Sequence, residues 1–290
     1  MSTCPVCRAT DLRQFTALTT PYLDRSESYS ILVCAVCGHG HAVGKDDDDY
    51  LRHIYSDDFH DTSQQSARSG NSPIEMNAAA RSSWLRDIGC SGRLLDIGAG
   101  KGIFVKAASA MFDAEGIELS ESAAAAAQAE GIAIAPGDFI TMSPTPGFFD
   151  VITFWDVLAS LKDPGAALDR AAQMLTPSGI VVLTLPMIDS LAARLLRKFW
   201  PLLIPPVNLQ YFSQASIAML AAQHGLKIDR MTFRPKRVAL SFLMAKGARS
   251  IRMFSLGKIL GERMPDWPIP INTGDIACVV LRRIEESQPS

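Results

Sequence analysis

From residue 93 onward, strand-like apolar runs alternate with helix-like amphipathic segments. The runs are "RLLDI", "AEGIE", "IAIA", "FDVITF" and "GIVVLTLP", and each reads as a strand. Between them, residues 102 to 111, the alanine-rich "ESAAAAAQAE" and residues 164 to 175 read as helices. Ser120 is placed to cap the alanine-rich helix and Gly131 to stop it. Ser213 opens a further helix that Gly225 closes, and "LKIDRMTF" and "DIACVVLRR" add two strands. Strands separated by helices predict an α/β fold, a mostly parallel sheet with helices on both faces.

Upstream, a helix is expected to begin at "SPIE": Ser72 caps, Pro73 takes the first helical position, Glu75 completes a capping box, and Gly89 ends it. Residues 1 to 44 read as a small module with short strands such as "YSILVC", and residues 45 to 72 as an acidic linker or lid. Residues 73 to 290 form the main domain. Two basic amphipathic segments interrupt its rhythm, near 187 to 211 and 237 to 263, and are expected to be helical insertions. Such insertions could pack on the core, cover a site, pair with another subunit or rest on a membrane surface.

The chain has 290 residues, 48% of them hydrophobic, which is ample for a buried core. It has no run of about 18 uninterrupted apolar residues and no basic-then-apolar N-terminus, so a cytoplasmic protein is expected. A net charge of −2 hides an asymmetry. Residues 45 to 61 hold seven acids against Lys45 and Arg52, while residues 227 to 263 hold ten bases against Asp229 and Glu262. A basic C-terminal third suits an anionic substrate, a membrane surface or RNA, or is simply a solvated face.

Four of the six cysteines form two C-x-x-C pairs, Cys4/Cys7 and Cys34/Cys37, with 26 residues between them. In a reducing compartment such pairs favour a structural zinc ion with four thiolates over disulfides. His39 and His41 in "CGHGH" could replace a thiolate, and a redox C-x-x-C is the competing reading.

The stretch "LLDIGAGKG" runs from a strand into a turn with Gly98, Gly100 and Gly102. A dinucleotide fingerprint needs a sixth-position glycine where Ile103 stands, and a P-loop needs Gly-Lys-Ser/Thr, which "GAGKGIF" lacks. Asp96 at the strand end would repel a pyrophosphate but suits the cationic methionine end of S-adenosylmethionine. Glu118 ends the second strand, where a carboxylate can accept both ribose hydroxyls. Asp138 and Phe139 follow the third strand, positioned for the adenine amino group and ring face, and Trp155 ends the fourth.

As a set, these segments resemble the class I S-adenosylmethionine-dependent methyltransferases. "LLDIGAGKG" is similar to their first motif, "GIELS" to the acidic second-strand end, "GDF" to the adenine loop, and "FDVITFWDVL" and "LTPSGIVVLTLP" to the fourth and fifth strands. The resemblance implies a Rossmann-like seven-stranded sheet whose last strand, "DIACVVLRR", is antiparallel. With a zinc ribbon in front, and "PPVNLQYFS", the chain looks like a bacterial subgroup linked to sugar, polysaccharide or lipid modification.

Relatives in that class often carry a Glu-His pair in a "D-x-L-E-H" pattern, where this chain has Ala159 and Ser160. Asp156 and Tyr211 are the remaining candidates for a proton acceptor. Three functions follow: methyl transfer to a small, anionic or carbohydrate- or lipid-linked acceptor; methylation of RNA gripped by the ribbon; or cofactor binding without catalysis. Against RNA, residues 1 to 44 carry only Arg8, Arg13 and Arg25 and no basic-aromatic stripe.

Overall fold

The computed structural model describes residues 3–22, 25–54, 72–143, 145–241 and 267–284. Strands β1 (Leu12–Tyr22) and β2 (Arg25–Cys34) pair antiparallel, and β3 (Gly40–Val43) joins β2. A short helix, α1 (Asp48–Ile54), follows inside the acidic stretch; residues 55–71 of the expected linker lie outside the described residues.

Helix α2 (Pro73–Asp87) starts as its sequence requires. The Ser72 side chain accepts from Glu75 N at 3.3 Å, and Glu75 Oε2 accepts from Ser72 N at 3.1 Å. The chain then alternates β4 (Arg93–Ile97), α3 (Ile103–Ala108), β5 (Asp113–Glu118), α4 (Glu121–Ala129), β6 (Ile134–Pro136), β7 (Phe149–Phe154), α5 (Pro164–Met174) and β8 (Leu175–Pro186). Helix α3 is shorter than expected, and β8 starts five residues before Ile180, at Leu175, where it pairs with Phe149.

After β8 come α6 (Leu191–Leu196), a 3-10 turn, the two-residue β9 (Gln210–Tyr211), α7 (Gln214–Gln223) and β10 (Leu226–Thr232). The expected second helical insertion begins instead as a strand: β11 (Lys236–Ala239) pairs antiparallel with β12 (Pro268–Ile271). Asn77 pins this ribbon to α2, donating to Arg237 O and accepting from Arg237 N, both at 2.8 Å. Residues 242–266 of that insertion lie outside the described residues. Strand β13 (Ile276–Arg283) closes the chain of elements.

The main sheet has seven strands in the order β10-β13-β8-β7-β4-β5-β6. β4 to β8 run parallel, and β13 is antiparallel to both neighbours. Successive residues alternate between faces, so Leu95, Ile152 and Val181 enter one core while Leu94, Val151 and Val182 enter the other. Helices cover both faces, which is why β7 and β8 read as largely apolar runs.

The N-terminal sheet does not close within residues 1–44. Its fourth strand is β9, supplied by the first insertion, where Gly40 pairs with Tyr211. A Cβ on Gly40 would meet Ile188 Cδ1 at 2.5 Å and Tyr211 Cβ at 3.2 Å, so the two strands approach closely here and a larger residue would make Ile188 shift. Cys4, Val6, Cys34 and Cys37 share one apolar core with Met187, Phe212, Ile217 and Leu220. Among the described residues no helix is long and apolar enough to cross a membrane. Helix α6 and the turn after it do leave Leu191 and Leu195 each 72% exposed and Phe199 60% exposed, beside Arg194, Arg197 and Lys198.

Candidate active site

The glycine turn between β4 and α3 is left-handed at Gly98 (φ 69), Gly100 (φ 55) and Gly102 (φ 75). L side chains rarely adopt that region. A Cβ at Gly98 would also lie 2.6 Å from Val157 Cγ2, and one at Gly102 2.8 Å from Ile132 Cγ2. The turn is latched by Glu118, whose buried carboxylate accepts from Gly100 N at 2.7 Å and from Ser120 N at 2.8 Å. Asp96 lies beneath, accepting from Thr153 Oγ1 at 2.6 Å. Burial pushes the Asp96 carboxyl up to about 7, with Thr153 and Arg81 opposing and Glu118 adding to the rise.

Above the carboxyl ends of β4, β5 and β6 lies a cleft with about 840 Å³ of empty space, part of it open to solvent. Gly98, Glu118, Asp138, Phe139 and Asp156 all line it. Asp138 Oδ1 accepts from Ile140 N at 2.9 Å, which fixes the loop, and Phe139 packs edge-on against Phe154 at 5.7 Å. Gly100 and Gly102 shape the turn without lining the cleft.

Three sequence candidates fall elsewhere or take other roles. Trp155 follows Phe154 on the opposite face of β7, packs on Phe104 at 5.4 Å and lines a neighbouring cavity. Tyr211 is fully buried in the seam with the N-terminal sheet, and its hydroxyl donates to Asn208 O at 3.0 Å. It does not line the cleft, because the β3 pairing draws it away. Asp156, at φ 62, lines the cleft but is ion-paired to Arg81 at 2.8 Å and Lys236 at 3.1 Å, and accepts from Thr184 Oγ1 at 3.1 Å. Desolvation works against its charge, yet Lys236 and Arg81 outweigh it and hold the carboxyl well below the usual range. Such a group is a fixed anion, not a proton acceptor at neutral pH.

The neighbouring cavity has about 710 Å³ of empty space and shares Asp156 with the cleft. Arg81, Trp84, Arg234 and Lys236 line it. Sequence reasoning misses Arg81, two helical turns into α2, and sees Arg234 and Lys236 only as part of a basic third; the run of bases flanking Pro235 is the available signal.

At the other end of the core, the Sγ atoms of Cys4, Cys7, Cys34 and Cys37 all lie within 4.8 Å of one another. Cys4 and Cys37 are 3.6 Å apart, Cys7 and Cys34 3.4 Å. Zinc–sulfur bonds of about 2.3 Å in a tetrahedron need sulfurs about 3.8 Å apart, so the four thiols fit that ion. His39 stands outside the set, its Nε2 2.9 Å from Gln210 Oε1.

A family model described as a methyltransferase domain matches residues 50–230. The chain belongs to that family. This methyltransferase also has the class I fold, as similar solved structures show. A magnesium protoporphyrin IX methyltransferase from Synechocystis PCC 6803, solved with bound SAH, superposes with TM-score 0.55 at 16% identity, covering 82% of this chain and 100% of the other. A SAM-dependent methyltransferase from Archaeoglobus fulgidus gives 0.53 at 14% identity, covering 78% and 100%. A possible histamine N-methyltransferase from Thermotoga maritima gives 0.51 at 16% identity, covering 78% and 98%. No curated protein matches the chain significantly. Family and fold together make it a methyltransferase-domain protein with the class I fold.

Proposed function

We propose that the cleft over β4, β5 and β6 binds S-adenosylmethionine and that the methyl group passes to a small-molecule acceptor. The observation that carries this reading is the convergence of Glu118, Asp138 and Phe139, from separate strand ends, on one cleft bounded by the Gly98 turn. Glu118 suits the ribose hydroxyls, since a carboxylate offers about four acceptor positions and can serve backbone and sugar at once. Asp138 and Phe139 suit adenine, and Asp96 the cationic methionine end. The SAH bound by the Synechocystis relative supports the donor.

The sulfonium donor is already activated, so alignment supplies much of the rate. Neither Asp156 nor Tyr211 offers a base, which favours an acceptor that is nucleophilic without one. The four thiols would hold a structural zinc, closed to substrate, and reduced thiols suit the cytoplasm. Nucleic acid is disfavoured by the sparse bases of the ribbon, Arg8, Arg13 and Arg25. The exposed Leu191, Leu195 and Phe199 among three cations favour a peripheral contact with anionic lipid; co-sedimentation with phosphatidylglycerol vesicles, lost in L191E/L195E, checks it.

Calorimetric titration of the zinc-replete protein with S-adenosylhomocysteine tests the donor site. Micromolar binding is expected, weakened at least about tenfold in Glu118→Ala, where two strong contacts go. An intact protein that binds none overturns the reading.

A further inference from the structure

We infer that the cavity beside the donor cleft is an anion-recognising acceptor subsite: it takes a small molecule with a planar apolar body and one carboxylate or phosphate group. The inference rests on the donor assignment above and adds the class of acceptor.

Position is the first ground. Asp156 forms part of both walls, so a ligand in this cavity lies beside a donor in the cleft. The cavity opens at the same sheet edge, between α2, the ends of β7 and β8, and the β11–β12 ribbon. Thr184 and Cys278 line it from the sheet. Its empty space of about 710 Å³, part of it open to solvent, admits a small molecule.

Charge is the second. Arg81, Arg234 and Lys236 line the cavity against Asp156 and Asp275. Asp275 is buried and already engaged, accepting from Trp200 Nε1 at 2.7 Å and from Thr273 Oγ1. Asp156 is divided between Arg81 and Lys236. Among the described residues Arg234 has no carboxylate partner at all, and its exposed guanidinium rests 4.9 Å from the centre of the Trp84 ring. Two cations sharing one carboxylate, plus a third with none, leave the cavity in deficit of negative charge. An entering carboxylate or phosphate corrects that deficit through charge-assisted hydrogen bonds.

Shape is the third. Trp84 and Trp155 both present to the cavity, and Arg81 lies 4.5 Å from the Trp155 ring centre. Indoles with guanidinium groups stacked on them form flat walls with cationic rims. Both indoles are buried with a guanidinium over each ring, so a planar body lies against their edges and the guanidinium faces while its anionic group reaches Arg234 and Lys236.

The test uses the full-length, zinc-replete protein saturated with S-adenosylhomocysteine, and benzoate, phenyl phosphate and neutral benzamide as probes. Binding is read by quenching of tryptophan fluorescence, since two of the four tryptophans line the cavity. At least one anionic probe is expected to bind at least about fivefold more tightly than benzamide, the effect of one charge-assisted contact in a half-open site. Which of the two binds better tells carboxylate from phosphate. Arg234→Ala should lose that preference and Arg234→Lys keep part of it, both with unchanged affinity for S-adenosylhomocysteine. Equal binding of all three probes, or no binding of any, overturns the subsite. So does a loss of S-adenosylhomocysteine affinity in Arg234→Ala, which would give the cavity to the donor. A wild type that binds no S-adenosylhomocysteine fails the donor assignment instead.

Discussion

Replacing Asp96 by asparagine should make the protein more stable in alkali while weakening its donor site. Asp96 is fully enclosed at the end of β4, and its carboxyl rises from an ordinary 3.8 to about 7, mainly through burial. Between those values the folded state holds a proton that the unfolded chain has released. Stability therefore falls as pH rises through this window and levels off above about 7. At about 1.4 kcal/mol per pH unit, the penalty is roughly 2 kcal/mol at pH 5.5 and roughly 4 kcal/mol at pH 8.5. The amide introduced by Asp96→Asn cannot ionise, keeps an oxygen for the Thr153 hydroxyl, and fills nearly the same volume. It adds a cost that does not depend on pH, so the informative quantity is the change between two pH values. The advantage of Asp96→Asn over wild type should grow by roughly 2 kcal/mol from pH 5.5 to 8.5, or about 4 to 8 °C in melting temperature for a chain of this size. Thermal melts of both proteins at both pH values measure it, with S-adenosylhomocysteine titrations alongside. Wild-type affinity should tighten as pH rises through about 7, because an ionised Asp96, enclosed beneath the glycine turn and not itself lining the cleft, makes the field there more favourable to the ligand's ammonium group. A difference in melting temperature that stays constant across the range refutes the strained carboxylate.

Other outcomes follow from the packing. Gly102→Ala should cost at least about 2 kcal/mol in urea unfolding, since φ is +75 and the new methyl would meet Ile132 Cγ2 at 2.8 Å. Gly89→Ala is its control: φ is +88 with nothing within 4 Å, so backbone strain alone of about 1 kcal/mol is expected. Trp200→Phe removes the donor to Asp275 and should lower stability by about 1–3 kcal/mol, read from the urea midpoint. Cys37→Ser should shift one cooperative calorimetric transition rather than create a second, because Cys37 shares a core with Phe212 and Leu220; a separate low-temperature transition would show an independent ribbon.

What can be read from the chain divides along the range of the interactions involved. The Ser72–Glu75 box and the Ser120 and Ser213 caps are legible because partners sit three residues apart. The strand run from β4 to β8 is legible because burial on both faces imposes mostly apolar residues, most plainly in β7 and β8. The cleft-lining positions Gly98, Glu118, Asp138 and Phe139 at strand ends follow from that order. The rest depends on distant partners. The apolar run of the fifth strand starts at Gly179, yet β8 begins at Leu175 because Phe149 pairs with it. "KRVA" becomes a strand because "PIPI", some thirty residues on, supplies its ladder. Trp155 reads as a cofactor-site candidate at the end of the fourth strand, although strand alternation sends it to the opposite side from Phe154, on which Phe139 rests. Tyr211 looks available for chemistry because a two-residue strand leaves no pattern.

That two-residue strand also sets a timetable for synthesis. The contact between His39 and Gln210 spans 171 positions, so β3 stays without its outer neighbour until the far segment has been translated. At roughly 5–20 residues per second the wait is on the order of 10 to 30 s. Through that interval a nascent chain carries β3 as an open, hydrogen-bond-hungry margin, a hazard for aggregation. Both cysteine pairs emerge early, and early metal capture by them would hold the unfinished sheet together until its last strand arrives.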